Sequence, residues 1–173
     1  YLEILQKLPD SCFWFLQGRN DSITSVFKER ISKLFQKKGI SFEKYSYFHP
    51  RCQHNEFLGF IEQSDIILDS INWSGCNSSL EAISLNKPIV TLPGAFMRGR
   101  HTYSFLKVLN IEETIANTKK EYVKIAVKLA IDNSFRNSVI HKIKKNKNKL
   151  FNDEKPIRFL EEFFKNTTAT IQQ

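Results

Sequence analysis

Short apolar runs and longer stretches of helical spacing take turns along the chain, which is the pattern of a parallel α/β fold. Tyr1 to Leu8 reads as the end of an amphipathic helix. Pro9-Asp10-Ser11 then turns into the aromatic run Cys12-Phe13-Trp14-Phe15-Leu16, which predicts a buried central strand with Cys12 in the core. After a break at Gly18 to Ser22, the residues Ile23, Val26, Phe27, Ile31, Leu34 and Phe35 recur at helical spacing, and Gly39 ends that helix. Tyr45 to Phe48 predicts the next strand. Pro50 to Gln53 turns the chain into a helix on which Phe57, Leu58, Phe60 and Ile61 cluster.

The rest of the pattern is organised around residues 65–94. Ile66 to Leu68 is too short for a helix and predicts a buried strand that stops at Asp69-Ser70. The following loop carries Gly75 and leads into Asn77-Ser78-Ser79, with Glu81 three residues after Ser78, the spacing of a capping box. A helix is therefore expected to open near Ser78. Asn86 and Pro88 stop it, and Ile89-Val90-Thr91-Leu92 forms a second strand closed by Pro93-Gly94, completing a βαβ unit.

Beyond this unit a basic loop, Met97 to His101, leads into a helix that runs through Leu109, and Glu112 to Ala116 is expected as a short edge strand. Lys119 to Ile131 presents Tyr122, Val123, Ala126, Val127 and Ala130 on one face. From Phe135 the chain is helical again, with Lys142 to Lys149 as a solvated face, a break at 151–153, and a last helix bearing Ile157, Leu160, Phe163 and Phe164. The domain reading follows: residues 1–150 form one Rossmann-like lobe, 151–166 a helix packing back on that lobe or on a missing partner lobe, and 167–173 a disordered tail.

The length of 173 residues suits one domain with a sizeable core. A net charge of +8 raises the question of a nucleic-acid partner, but the lysines are scattered, which marks solvated surface rather than a binding stripe. The three cysteines, Cys12, Cys52 and Cys76, have no metal-ligand spacing and read as reduced thiols of a cytoplasmic protein, with Cys76 a small space filler in its loop. There is no secretory signal and no transmembrane run. The chain lacks an initiating Met and is expected to be a piece of a longer protein.

Chemistry enters through the edge of the sheet. In an open parallel sheet the carboxyl ends of strands and the amino ends of the following helices line one edge, where free N–H groups attract phosphate. Gly75 to Ser79 fits such an anion site, although turning and capping alone would select the same residue types. Arg98, Arg100 and His101 follow the next strand and are expected at the same edge, either neutralising phosphate or simply starting a solvated helix.

Residues 65–130, with the segments LDSINWSGCNSSLEA, KPIVTLPG, FMRGRHTYSFLKVLNIEETIA and EYVKIAVKLA, closely resemble the C-terminal catalytic half of the SPINDLY and O-linked N-acetylglucosamine transferase family. LPDSCFWFL extends a weaker match over nearly the whole chain. The resemblance implies one lobe of a GT-B fold, the lobe that holds the nucleotide diphosphate of a sugar donor, usually behind tetratricopeptide repeats.

By position, Cys76, Asn77 and Ser78 fall where animal members carry a His-Thr-Thr run on the phosphates, and Glu81 falls on the acidic residue that holds the ribose hydroxyls. Phe57 lies near a position whose ring packs on the uracil, and His54 near a basic residue on the nucleotide. From the residues themselves, Glu81 also fits the capping box and Phe57 also fits a helix core face.

Two departures stand out: Cys76 replaces the His, and a family Lys that contacts the diphosphate would lie upstream of Tyr1. The implied reaction is an inverting transfer of N-acetylglucosamine, or of fucose or glucose, from a UDP-sugar or GDP-sugar to Ser or Thr of a polypeptide acceptor. No metal is expected, and no residue here is assigned as the general base. Without the upstream lobe the chain is expected to bind nucleotide weakly and turn over poorly. The rival readings are a non-catalytic nucleotide-binding or protein-interaction module, and a basic nucleic-acid binder.

Overall fold

The computed structural model describes residues 1–171, with side-chain surroundings through Thr168. Helix α1 spans Leu2–Leu5 and buries Ile4 and Leu5. Strand β1, Phe13–Leu16, pairs in parallel with β2, Ser46–His49, in the register Phe13 to Ser46 through Leu16 to His49. Between them runs α2, Asp21–Gln36, and a single 3₁₀ turn at Phe42–Tyr45. Helix α3, His54–Glu62, opens with a capping box in which Gln53 and Glu56 satisfy each other's backbone.

Strand β3, Ile67–Leu68, pairs in parallel with β4, Ile89–Val90, and α4, Asn77–Ser84, crosses between them as the expected βαβ unit. Helices α5, His101–Val108, α6, Lys119–Ile131, α7, Asn133–Asn146, and α8, Lys155–Ile171, follow. The expected edge strand at 112–116 shrinks to one parallel bridge between Thr91 and Ile115.

Left-handed residues end the helices where the sequence placed its stops. Asn86 has φ 62°; the Asn86 N–H donates to Ile83 O and the Lys87 N–H to Ala82 O, so the last carbonyls of α4 are satisfied. Gly39, with φ 70°, closes α2 in the same way, with the Ile40 N–H on Phe35 O. The deepest core lies between β4 and the helices α4 to α7: Ile83, Ile89, Val90, Leu106, Leu109, Leu129, Val139 and Ile143 are fully buried. A second, aromatic part lies under β1 and β2, where Phe15 stacks on Phe48 at 5.0 Å and Phe35 meets Phe42 edge-on at 4.9 Å.

Several expectations need correction. The parallel pairs do not join into one continuous sheet: among the described residues no ladder bonds connect β1 to β3, and an open groove of about 790 Å³ separates them, with Phe57 and Phe60 in its wall. Cys12 is exposed rather than core, because Phe13 takes the inward direction and its neighbours on either side must point away. For the same reason Trp14 and Leu16 leave β1 half open to solvent. The two residues of β3 are only half buried, since the groove runs along them.

On α2, Ile31 and Phe35 are buried but Ile23, Val26 and Leu34 are exposed, so its apolar stripe is wider than the face that meets the sheet. On α6 the buried set is Tyr122, Val123, Ile125, Ala126 and Leu129, with Val127 and Ala130 at its margin. Residues 155–168 of α8 are exposed throughout, so the helix does not pack back on the lobe, and its apolar residues stay open. The helix also continues through Ile171 where a disordered tail was expected from residue 167; the last two positions lie outside the described residues.

Candidate functional site

The site is built at the end of β3. Asp69, 6% exposed, turns its carboxylate inward and gathers three donors. Its Oδ2 accepts from Ser74 Oγ at 2.8 Å and from Thr91 Oγ1 at 2.6 Å, and its Oδ1 accepts from the Gly75 N–H at 2.8 Å. The Asp69 carbonyl accepts from the Tyr122 hydroxyl at 2.9 Å, and burial pushes the Tyr122 phenol well above the ordinary tyrosine range. One buried carboxylate therefore ties the end of β3, the residue after β4 and the loop before α4 into a unit. Burying a polar side chain is costly unless it is hydrogen-bonded, and three donors meet that requirement here.

Helix α4 begins at Asn77 with Cys76 as its N-cap, and no side chain caps it. Its first intrahelical bond is donated by the Leu80 N–H to Cys76 O, which leaves the amides of Asn77, Ser78 and Ser79 without a partner inside the helix. Asn77 and Ser78 are exposed residues at the positive end of the helix dipole, while Ser79 is buried beneath them. The expected Ser78–Glu81 capping box does not form. The N-cap is Cys76, two residues before Ser78, which moves Glu81 beyond the third helical position that a box requires.

Glu81 meets His54 from α3 instead, with His54 Nδ1 3.4 Å from Glu81 Oε1. The Glu81 side chain is 24% exposed and His54 is 65% exposed, so the pair forms a rim one helical turn beyond the free amides. Phe57, on the same helix as His54, is half buried; it packs against the core, faces Phe60 with ring centroids 6.4 Å apart, and lines the groove together with Gly75, Ser78 and Ser79.

Two further corrections concern the loop itself. The Gly75 amide is committed to Asp69 and is not free for an anion; the position is glycine for lack of space, since a Cβ there would sit 2.4 Å from Ser79 Oγ. Cys76 fills no gap: it is exposed, because the N-cap side chain points away from the packed face of α4.

The basic loop does come to the same edge. The Ser74 N–H donates to Arg98 O at 2.8 Å, the Gly94 N–H to Gly99 O at 2.8 Å, and Gly99 lies so close to Asn72 that a Cβ would stand 3.2 Å from its Cα. Arg100 Nη1 donates to Gly94 O at 3.0 Å and its guanidinium lies 4.6 Å from the centre of the Tyr103 ring, so this cation is held by its own loop. The sequence reading missed Asp69, Ser74, Thr91 and Thr102 as a group. The available signal was a carboxylate at a strand end followed by hydroxyl residues on two later segments.

Among the described residues no cluster of three or more His, Cys, Asp or Glu side chains could hold a metal ion, and no helix is long and apolar enough to cross a membrane.

The family model of glycosyl transferase family 41 matches residues 1–158. Among curated proteins, the chain is 33% identical over 88 residues to the UDP-N-acetylglucosamine–peptide N-acetylglucosaminyltransferase of Giardia intestinalis, covering 51% of this chain and 6% of that protein. It is 26% identical over 132 residues to the enzyme of the same name from Caenorhabditis elegans, covering 76% of this chain and 11% of the relative. Its structure is similar to that of a mutant O-GlcNAc transferase of Thermobaculum terrenum, with TM-score 0.79 and 25% identity over 95% of this chain and 32% of the other. The chain thus spans at most about a third of the length of these three relatives.

Proposed function

This chain belongs to glycosyl transferase family 41, and from that premise we infer that it forms the donor-binding part of a protein O-glycosyltransferase. The sugar, N-acetylglucosamine as first choice, passes from a UDP-sugar to Ser or Thr of a polypeptide, with a GDP-sugar as the alternative donor. One observation carries the reading: the uncapped start of α4 at Asn77 and Ser78, with Glu81 and His54 one turn beyond it, beside the Arg100 loop.

The chemistry follows from the residues. The Asn77 and Ser78 amides and the Ser78 hydroxyl hold the diphosphate and stabilise the charge that grows on it as the sugar departs in an inverting displacement. Glu81 accepts hydrogen bonds from the two ribose hydroxyls, and His54 beside it fixes the carboxylate and lines the nucleotide. Phe57 borders the base from the groove wall. Arg100 neutralises the diphosphate after exchanging its bond to Gly94, and the fixed dipoles and cation serve in place of a metal. In the full-length protein an upstream lobe and tetratricopeptide repeats complete the site and present the acceptor, and its free thiols fit a cytoplasmic setting.

Calorimetry with UDP, GDP and a short oligonucleotide tests this. UDP is expected to bind, and Glu81→Ala to weaken it by about tenfold or more, the worth of hydrogen bonds to a charged acceptor. Equal binding by the variant removes the ribose role. Binding of oligonucleotide in preference to UDP, with a steep salt dependence, would overturn the reading as a whole.

A further inference from the structure

Thr102 opens the buried side of α5 and is fully buried, yet it carries four polar contacts toward the start of α4 and the loop before it, the longest from its Oγ1 to Gly75 O at 3.4 Å. Its Oγ1 lies 2.8 Å from Ser74 Oγ and 2.8 Å from Ser79 Oγ, and its N–H donates to Ser74 Oγ at 3.0 Å. Each hydroxyl has one proton, and Ser74 is 2.8 Å from the Asp69 carboxylate, the strongest acceptor in reach. The Ser74 hydroxyl is directed at both Asp69 Oδ2 and Thr102 Oγ1, and Thr102 Oγ1 shares a further hydrogen bond with Ser79 Oγ. The three hydroxyls therefore form one continuous buried network anchored on the Asp69 carboxylate, in which each bond polarises its neighbours.

The network joins the start of α4 to the start of α5. Ser79 lies in the first turn of α4, under the amides of Asn77 and Ser78, and Thr102 lies two residues after Arg100. Resting on the donor-binding reading above, we propose that Thr102 is a positioning residue that locks the α4 amides and the Arg100 loop into one rigid anion cradle. Its action is on the phosphates of the nucleotide, through Ser79, and not on the base or ribose.

Thr102→Val keeps the shape and removes the hydroxyl. The expected result with the full chain is UDP binding weakened about tenfold, the scale for leaving buried hydrogen-bonding groups unpartnered, with uridine binding unchanged and Thr102→Ser restoring the UDP affinity. Ser79→Ala, which cuts the same network at its far end, is expected to lower UDP affinity in the same direction by a smaller factor, and it carries the test if Thr102→Val does not fold. Equal loss of UDP and uridine binding, or UDP binding by Thr102→Val equal to that of the unsubstituted chain, would overturn the proposal. Absence of UDP binding by the unsubstituted chain is a separate outcome that brings down the donor reading, and the proposal with it.

Discussion

Gly75→Ala tests the packing of the loop at the point where it is tightest. The added Cβ would stand 2.4 Å from Ser79 Oγ and 2.9 Å from Ser78 Oγ. Ser78 is exposed and can turn away at little cost, but the Ser79 hydroxyl is buried and bonded to Thr102. Moving it leaves buried hydroxyls without partners, a cost of about 1–3 kcal/mol. For a chain of this size about 2 kcal/mol lowers the melting temperature by roughly 4–8 °C, measurable by circular dichroism.

Because the clash is with one atom, removing that atom should relieve it. In Gly75→Ala with Ser79→Ala, the new methyl meets Ser79 Cβ at 3.5 Å, an ordinary contact. The double variant is therefore expected to be less destabilised than the sum of the two single ones, with a coupling of about 1 kcal/mol. Strict additivity, or a Gly75→Ala melt identical to that of the unsubstituted chain, would refute the view that Gly75 is required for space.

Tyr122→Phe removes the hydroxyl bond to Asp69 O and should cost about 1 kcal/mol near neutral pH. The Tyr122 phenol is raised in the folded state by burial, so its contribution is fully present below the ordinary tyrosine value of about 10 and is lost as pH rises above it; the variant should flatten that loss in urea titrations between about pH 9 and 11. On α8, Leu160 and Phe163 are 53% and 61% exposed, so Leu160→Ser and Phe163→Ser should each change stability by no more than about 0.5 kcal/mol; a loss of several degrees in the melt would mean that the helix packs on the lobe after all.

Local chemistry made most of the order of elements legible. Gly39, Asn86 and Pro88 stop helices because they suit or demand conformations that a helix lacks, and the structure ends its helices there. Which face is inward was harder to read. Periodicity marks Ile23, Val26 and Leu34 as apolar but does not say how much of α2 the sheet covers, and Cys12 looked buried because its neighbours are aromatic. The start of α4 was legible to within two residues, which was enough to locate the amides but assigned a capping role to Glu81 that the helix register excludes. The Asp69 network was not legible, because its members come from four separate stretches of sequence and meet only once the strands are paired.

The central claim concerns the amides at the start of α4, and an NMR titration of the ¹⁵N-labelled chain observes them one by one. With added UDP, the Asn77 and Ser78 amide signals are expected to shift most and to saturate, while uridine without phosphates leaves them in place. Shifts confined to other parts of the chain, or no change at Asn77 and Ser78 at millimolar UDP, would contradict the account.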